Sequence, residues 1–260
     1  MSSQETTKIN QLLKDWPAGT VATQTWLESR GVYRQLTGHY ISSGWLERIG
    51  RGVFIRDSDT VDWLGGVYAL QSQLGLNVHV AGVTALLLRG FGHYLPLGKG
   101  YKVFVFGESR QLLPRWFLHH HWDVRVAYHR PNLFEDKNNT GFIDLNRGSF
   151  SVTVSAPERA ILEVMHLATS NAAVEHALEL CEGLTTLRPD VVQELLESCL
   201  SIKTKRLFLW ASERSKHAWL SCVDISSIDL GKGKRVLYKG GKFDSKYGIT
   251  VPDAGGLPHV

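Results

Sequence analysis

The sequence predicts an α+β protein in two parts: a small module of three short helices closed by a β-hairpin, then a larger domain of mixed helices and strands. Three observations predict it. Apolar residues recur at helical spacing from Ile9 to Ile41. The stretch Ser43-Gly-Trp-Leu-Glu-Arg-Ile-Gly-Arg-Gly-Val-Phe-Ile-Arg56 has a Gly-Arg-Gly turn between two strand-like arms. Beyond it, alternating strand-like runs are grouped ahead of a series of helical runs.

In the first module, Ile9, Leu12, Leu13 and Trp16 fall at i, i+3, i+4 and i+7, the apolar stripe of a helix that Pro17 and Gly19 stop. Thr23 is placed to cap a second helix, Gln24 to Ser29, which buries Trp26 and Leu27. Gly31 supplies the turn. A third helix runs from Val32 to Ser43 with Leu36, Tyr40 and Ile41 inward. Arg34, Gln35, Thr37, Gly38, His39, Ser42 and Ser43 are then left outward. In the hairpin, Trp45, Leu46 and Ile49 are apolar anchors, and Gly50 and Gly52 allow a tight turn with positive φ. Arg48, Arg51 and Arg56 supply charge.

A polar helix, reached through a glycine turn and followed by an arginine-bearing hairpin, is the pattern of a winged helix-turn-helix. Its outward face lacks acids. Arginine grips guanine bidentately, glutamine grips adenine, and serine, threonine and histidine serve bases or phosphates. The DNA-binding set is therefore Arg34, Gln35, Thr37, His39, Ser42 and Ser43 on the helix, with Arg48 and Arg51 on the wing. Residues 1–58 form this expected domain and residues 59–260 the second.

Charge alone would not find the module. Residues 1 to 59 hold seven basic and six acidic residues, and the whole chain of 260 residues carries +4. So small a net charge predicts modest affinity per module, and hence dimerisation on DNA or a second contacting surface. Cys181, Cys199 and Cys222 lack CxxC spacing, which excludes a disulfide scaffold or zinc site and predicts buried, reduced thiols. The first residues have no signal-peptide core, and no apolar patch is long enough to span a bilayer. A soluble, cytoplasmic protein with no membrane partner is expected.

In the second domain, Asp59 or Thr60 is placed to cap an apolar helix from Trp63 to Leu74, followed by a helix over 81–88. Strands are expected at 101–106, 123–128, 142–145 and 150–155. Pro157 opens a helix to Ala168, and helices follow at 172–182, 189–200 and 203–215. The end, from Val236, reads as strand and turn.

Catalytic signatures are weak there. Adjacent histidines in His119-His-His-Trp122 point to opposite faces if on a strand, without accompanying acidic or thiol ligands. Glu135-Asp-Lys137 has a nuclease-like spacing in a loop-like setting. Gly148-Ser149 lacks the Asp-x-Asp pair that would hold magnesium. No metal, cofactor or catalytic residue is expected. Basic residues concentrate late: Lys203, Lys205 and Arg206 open one helix, and Lys232, Lys234, Arg235, Lys239, Lys242 and Lys246 crowd the tail. They are either a solvated turn or a second basic surface for DNA or RNA.

Lys8-Ile-Asn-Gln-Leu-Leu, Trp26-Leu, Tyr33-Arg-Gln-Leu and Tyr40-Ile-Ser-Ser-Gly-Trp-Leu-Glu-Arg-Ile-Gly-Arg-Gly-Val-Phe resemble the N-terminal domain of AbiEi-type antitoxins. The resemblance continues more diffusely at Ser155-Ala-Pro-Glu-Arg-Ala-Ile-Leu-Glu and Lys239-Gly-Gly-Lys-Phe-Asp-Ser-Lys-Tyr-Gly-Ile-Thr-Val-Pro. It implies an antitoxin of a type IV abortive-infection (phage-defence) toxin–antitoxin system. Such a protein binds inverted repeats in its own promoter and represses its operon. Its second domain counteracts a nucleotidyltransferase-type toxin without a stable complex. The rival expectations are a nuclease or nucleotidyltransferase with a DNA-targeting module, and a transcription factor with a ligand-sensing domain.

Overall fold

The computed structural model of the chain describes residues 8–92, 100–135 and 139–253. The first elements are α1 (Lys8–Asp15), β1 (Ala22–Thr23), α2 (Gln24–Ser29), α3 (Arg34–Ser42), β2 (Leu46–Gly50) and β3 (Val53–Arg56). Then come α4 (Trp63–Tyr68), which runs into a π-helical turn at Ala69–Gln73, β4 (Val78–Val80), α5 (Gly82–Leu88), β5 (Lys102–Gly107), α6 (Arg115–His119) and β6 (Arg125–His129). Strands β7 (Phe142–Asn146) and β8 (Ser151–Ser155) precede four helices, α7 (Pro157–Leu167), α8 (Asn171–Glu182), α9 (Pro189–Ser198) and α10 (Ile202–Arg214). The end carries β9 (Arg235–Val236), β10 (Lys242–Asp244) and β11 (Ile249–Val251). The hydrogen-bonded strand orders are β1-β3-β2, β6-β5-β4-β8-β7 and β10-β11-β9. No helix among the described residues is long and apolar enough to cross a membrane.

The chain falls into two compact units. The first comprises the described residues of Met1–His79, Gly98–Arg130 and Asp144–Thr153. Leu12 of α1, Trp16 just after it, Trp26 and Leu27 of α2, Tyr40 of α3, and Leu46 and Phe54 of the hairpin form one buried cluster, with Ile9, Leu36 and Ile41 packed against it. The expected apolar stripes thus meet in one core. Thr23 caps α2 as the sequence predicts, accepting from the Trp26 N–H at 3.2 Å. The cap of α4 is Asp62, not Asp59 or Thr60: its carboxylate accepts from the Leu64 and Gly65 N–H groups. Asp59 is spent on the Gly19 N–H instead. The side-chain amide of Gln73 pairs with the backbone of Val21 and Thr23, which fixes the edge strand β1 from outside the helical module.

The second unit comprises the described residues of Val80–Leu97, Pro131–Ile143 and Val154–Val260. Its core is helical and gathers side chains from α7 to α10. Pro157 opens α7 as predicted, because its missing N–H would have no partner in the first turn. The α7 helix also buries charge. Glu163 accepts from Ser155 Oγ, from Arg159 Nε and from the Gly82 N–H at the start of α5. The Arg159 guanidinium lies over the rings of Phe134 and Phe142, at 4.2 and 4.1 Å from their centroids. These donors satisfy the oxygens of a carboxylate that burial has taken out of water.

Candidate nucleic-acid interface

Helix α3 is built to show one polar face. Arg34, Gln35, Gly38, His39 and Ser42 are exposed, while Tyr40 and Thr37 are buried. At 3.6 residues per turn the exposed five share an arc of about 140°. Thr37 corrects the expected outward set. Its hydroxyl donates to the Tyr33 carbonyl one turn back at 3.2 Å, so the side chain satisfies itself on the core side. The helix starts at Arg34 rather than Val32, with Tyr33 at its cap. It ends on a glycine that the apolar spacing does not single out: Gly44 has φ +73°, its N–H donates to the Ile41 carbonyl, and the Trp45 N–H donates to the Tyr40 carbonyl. These paired bonds form a Schellman ending, which leaves Ser43 exposed at the C-cap and aims the chain into β2.

The hairpin forms as predicted, with two corrections. Only Gly52 adopts positive φ, at +72°. Gly50 serves a different need, because a Cβ there would lie 2.9 Å from the Cβ of Trp116 in α6. The register slips between Arg48 and Gly50, a β-bulge at Ile49 that bends the wing. Leu46 is anchored in the core, but Trp45 is 46% exposed because the helix ending swings it outward. Arg48 and Arg51 are exposed. Arg56 is not a wing-surface charge: its guanidinium lies 5.5 Å from the Trp16 ring centroid, and burial lowers its pKa although Asp59 opposes the shift. Arg34 is only loosely held by Glu28, at 3.7 Å, with its side chain 87% exposed.

The expected second basic surface divides. Arg206 is buried and donates to the carbonyls of Leu230, Gly231, Gly233 and Gly248. Lys205 is buried, and Lys203 donates to the carbonyls of His166 and Ala168. Long cationic side chains here bind carbonyls from distant loops, which the local sequence does not reveal. Lys232, Lys234, Arg235, Lys239 and Lys242 are exposed around β9 and β10, with Lys234 Nζ 4.9 Å from the centroid of the Phe243 ring. Lys246 pairs with Glu213.

His119 ends a helix rather than lying on a strand, and the following residues leave that helix extended. Among the described residues no three His, Cys, Asp or Glu side chains gather as a metal shell would. Asp136 and Lys137 of the nuclease-like spacing lie outside the described residues. All three cysteines are free. Cys181 and Cys199 are buried, whereas Cys222 is exposed, contrary to the expected burial.

Two family models match the chain. One, described as the N-terminal domain of the transcriptional regulator AbiEi antitoxin, covers residues 5–97. The other, described as transcriptional regulator, AbiEi antitoxin, type IV TA system, covers residues 100–252. No curated protein matches. The crystal structure of the RV2827C protein from Mycobacterium tuberculosis is similar in fold, with a TM-score of 0.56 at 13% identity over 93% of this chain and 88% of that one. The chain belongs to the AbiEi antitoxin family of transcriptional regulators of type IV toxin–antitoxin systems.

Proposed function

We propose that this regulator is a cytoplasmic, non-catalytic autorepressor and antitoxin that reads operator DNA with α3 and its wing. One observation carries the reading: the exposed arc of α3 holds Arg34, Gln35, His39 and Ser42 with no carboxylate among them, and exposed Arg48 and Arg51 follow on the hairpin. The helix would lie in the major groove and the wing arginines on the backbone. Ser43, exposed at the helix end, is a phosphate contact in this reading, and Thr37 is not. Residues 1–58 carry DNA recognition, and a dimer on inverted repeats supplies the affinity that one weakly charged module lacks. Residues 59–260 counteract a toxin of the nucleotidyltransferase class.

The test is a gel shift with the duplex immediately upstream of the protein's own gene. A retarded band that weakens with salt is expected, and Arg34→Ala, Gln35→Ala and Arg51→Ala together should abolish it. A band unaffected by the three substitutions would remove the assignment. Co-expression with a toxin of the nucleotidyltransferase class tests the second activity: rescue of growth should survive the same three substitutions.

A further inference from the structure

The wing does not stand alone. An open cleft of about 480 Å³ lies between its turn and α6, lined by Arg51 and Gly50 on one side and by Arg115, Trp116 and His119 to His121 on the other. The lining holds two arginines, three histidines and no carboxylate. Its walls are fixed. Trp116 packs against Gly50, and His120 hydrogen-bonds the backbone of Ile49 and stacks edge-on against Trp122, with ring centroids 4.3 Å apart. Trp122 in turn donates from Nε1 to the Phe117 carbonyl at 2.8 Å. Arg115, His119 and His121 are left exposed at the rim. Two carboxylates stand near: Glu47 faces His120, and Asp123 lies 3.7 Å from His121 Nδ1.

We infer that this cleft is a second phosphate clamp, which takes a backbone phosphate of duplex DNA beside the wing through Arg51, Arg115, His119 and His121. The inference rests on the DNA-reading function proposed above and extends its footprint to α6, which starts 59 residues after the end of the wing. Charge complementarity and continuity argue for duplex DNA as the occupant. Arg51 belongs both to the cleft and to the wing tip, so a strand gripped by the wing passes the rim. A guanidinium gives fixed donors suited to phosphate oxygens, and an imidazole N–H adds a further donor. The clamp also answers the charge shortfall of the first module, which holds only one more basic than acidic residue over residues 1 to 59.

The experiment measures the affinity of full-length protein for the same upstream duplex across a salt series. It compares wild type, the rim variant Arg115→Gln/His119→Gln/His121→Gln, and the helix variant Arg34→Ala/Gln35→Ala. The rim variant should bind about tenfold more weakly to matched and mismatched duplexes alike, with the salt slope reduced by about 0.9 for each phosphate it no longer neutralises. The helix variant should instead lose discrimination between the duplexes. Trimming the duplex on the wing side should cost the wild type the same factor and leave the rim variant unchanged, and the wild-type arm involves no substitution. If the rim variant keeps wild-type affinity and slope while the helix variant loses discrimination, the clamp is overturned and the DNA reading stands. If wild type binds no duplex, both fall.

Discussion

Gly50 on the wing and Trp116 on α6 touch so closely that a methyl group at position 50 would sit 2.9 Å from the Trp116 Cβ. The Trp116 atom is anchored to its own backbone and does not swing aside. Gly50→Ala should therefore displace either the wing or α6 and destabilise the protein by about 1–3 kcal/mol. Urea unfolding would measure this, and Trp116→Ala in the same chain should recover part of the loss, making the pair non-additive. A Gly50→Ala protein that unfolds like wild type would show that the contact is slack.

Gly38 is the opposite case. Nothing lies within 4 Å of a Cβ built there, on the exposed arc of α3. Gly38→Ala should stabilise the free protein by about 0.5–1 kcal/mol, because alanine loses less backbone entropy in a helix. If the glycine lets the helix approach DNA, the same change should weaken binding about tenfold. Unchanged affinity would place position 38 outside the contact.

Glu158 is buried and accepts three hydrogen bonds from Arg188, two from its guanidinium and one from its backbone N–H, each at 3.0 Å. Burial pushes its pKa up, but the Arg188 bonds outweigh it and hold the carboxyl below the ordinary range. A depressed acid stabilises the fold fully above its unfolded value, about 4.3, and that stability is lost as pH falls through the folded value. Glu158→Gln should cost about 1.5–3 kcal/mol at pH 7. The gap to wild type should narrow below about pH 4, and a gap constant from pH 7 to 3 would refute the assignment.

The thiols should separate by reactivity. Burial pushes Cys181 up to about 12, and Cys199 is also raised, chiefly by burial, whereas Cys222 lies at the surface. Ellman's reagent should label one thiol in the native protein and all three in denaturant. Fast labelling of two or three in the native state would contradict the burial.

The first module is legible in the sequence wherever the signal is periodic or local. The stripe through Leu12 and Trp16, the Thr23 cap and the hairpin around Gly52 are each decided by neighbours in the chain. Thr37 misleads because a hydroxyl satisfied by its own helix looks polar in sequence and behaves as core. Arg56 and Arg206 mislead for the converse reason: their cations are received by a ring and by carbonyls that only the tertiary fold brings near. Of the candidate interface, the α3 face and the wing can be read from spacing. Arg115 and His119 cannot, because their nearness to Arg51 depends on packing across a long stretch of chain.

Arg206 has a consequence for chains that never reach full length. Its four carbonyl acceptors lie at residues 230, 231, 233 and 248, so a ribosome that stops early leaves a guanidinium inside α10 with nothing to receive it. The same tail puts Tyr247, Ile249 and Val251 into the helical core, so its loss removes apolar cover along with the acceptors, a large share of the stability of a typical domain. Truncated products would therefore unfold and be degraded by cellular proteases. Fragments that retain residues 1–58 but lack the tail would not persist to compete with the finished regulator.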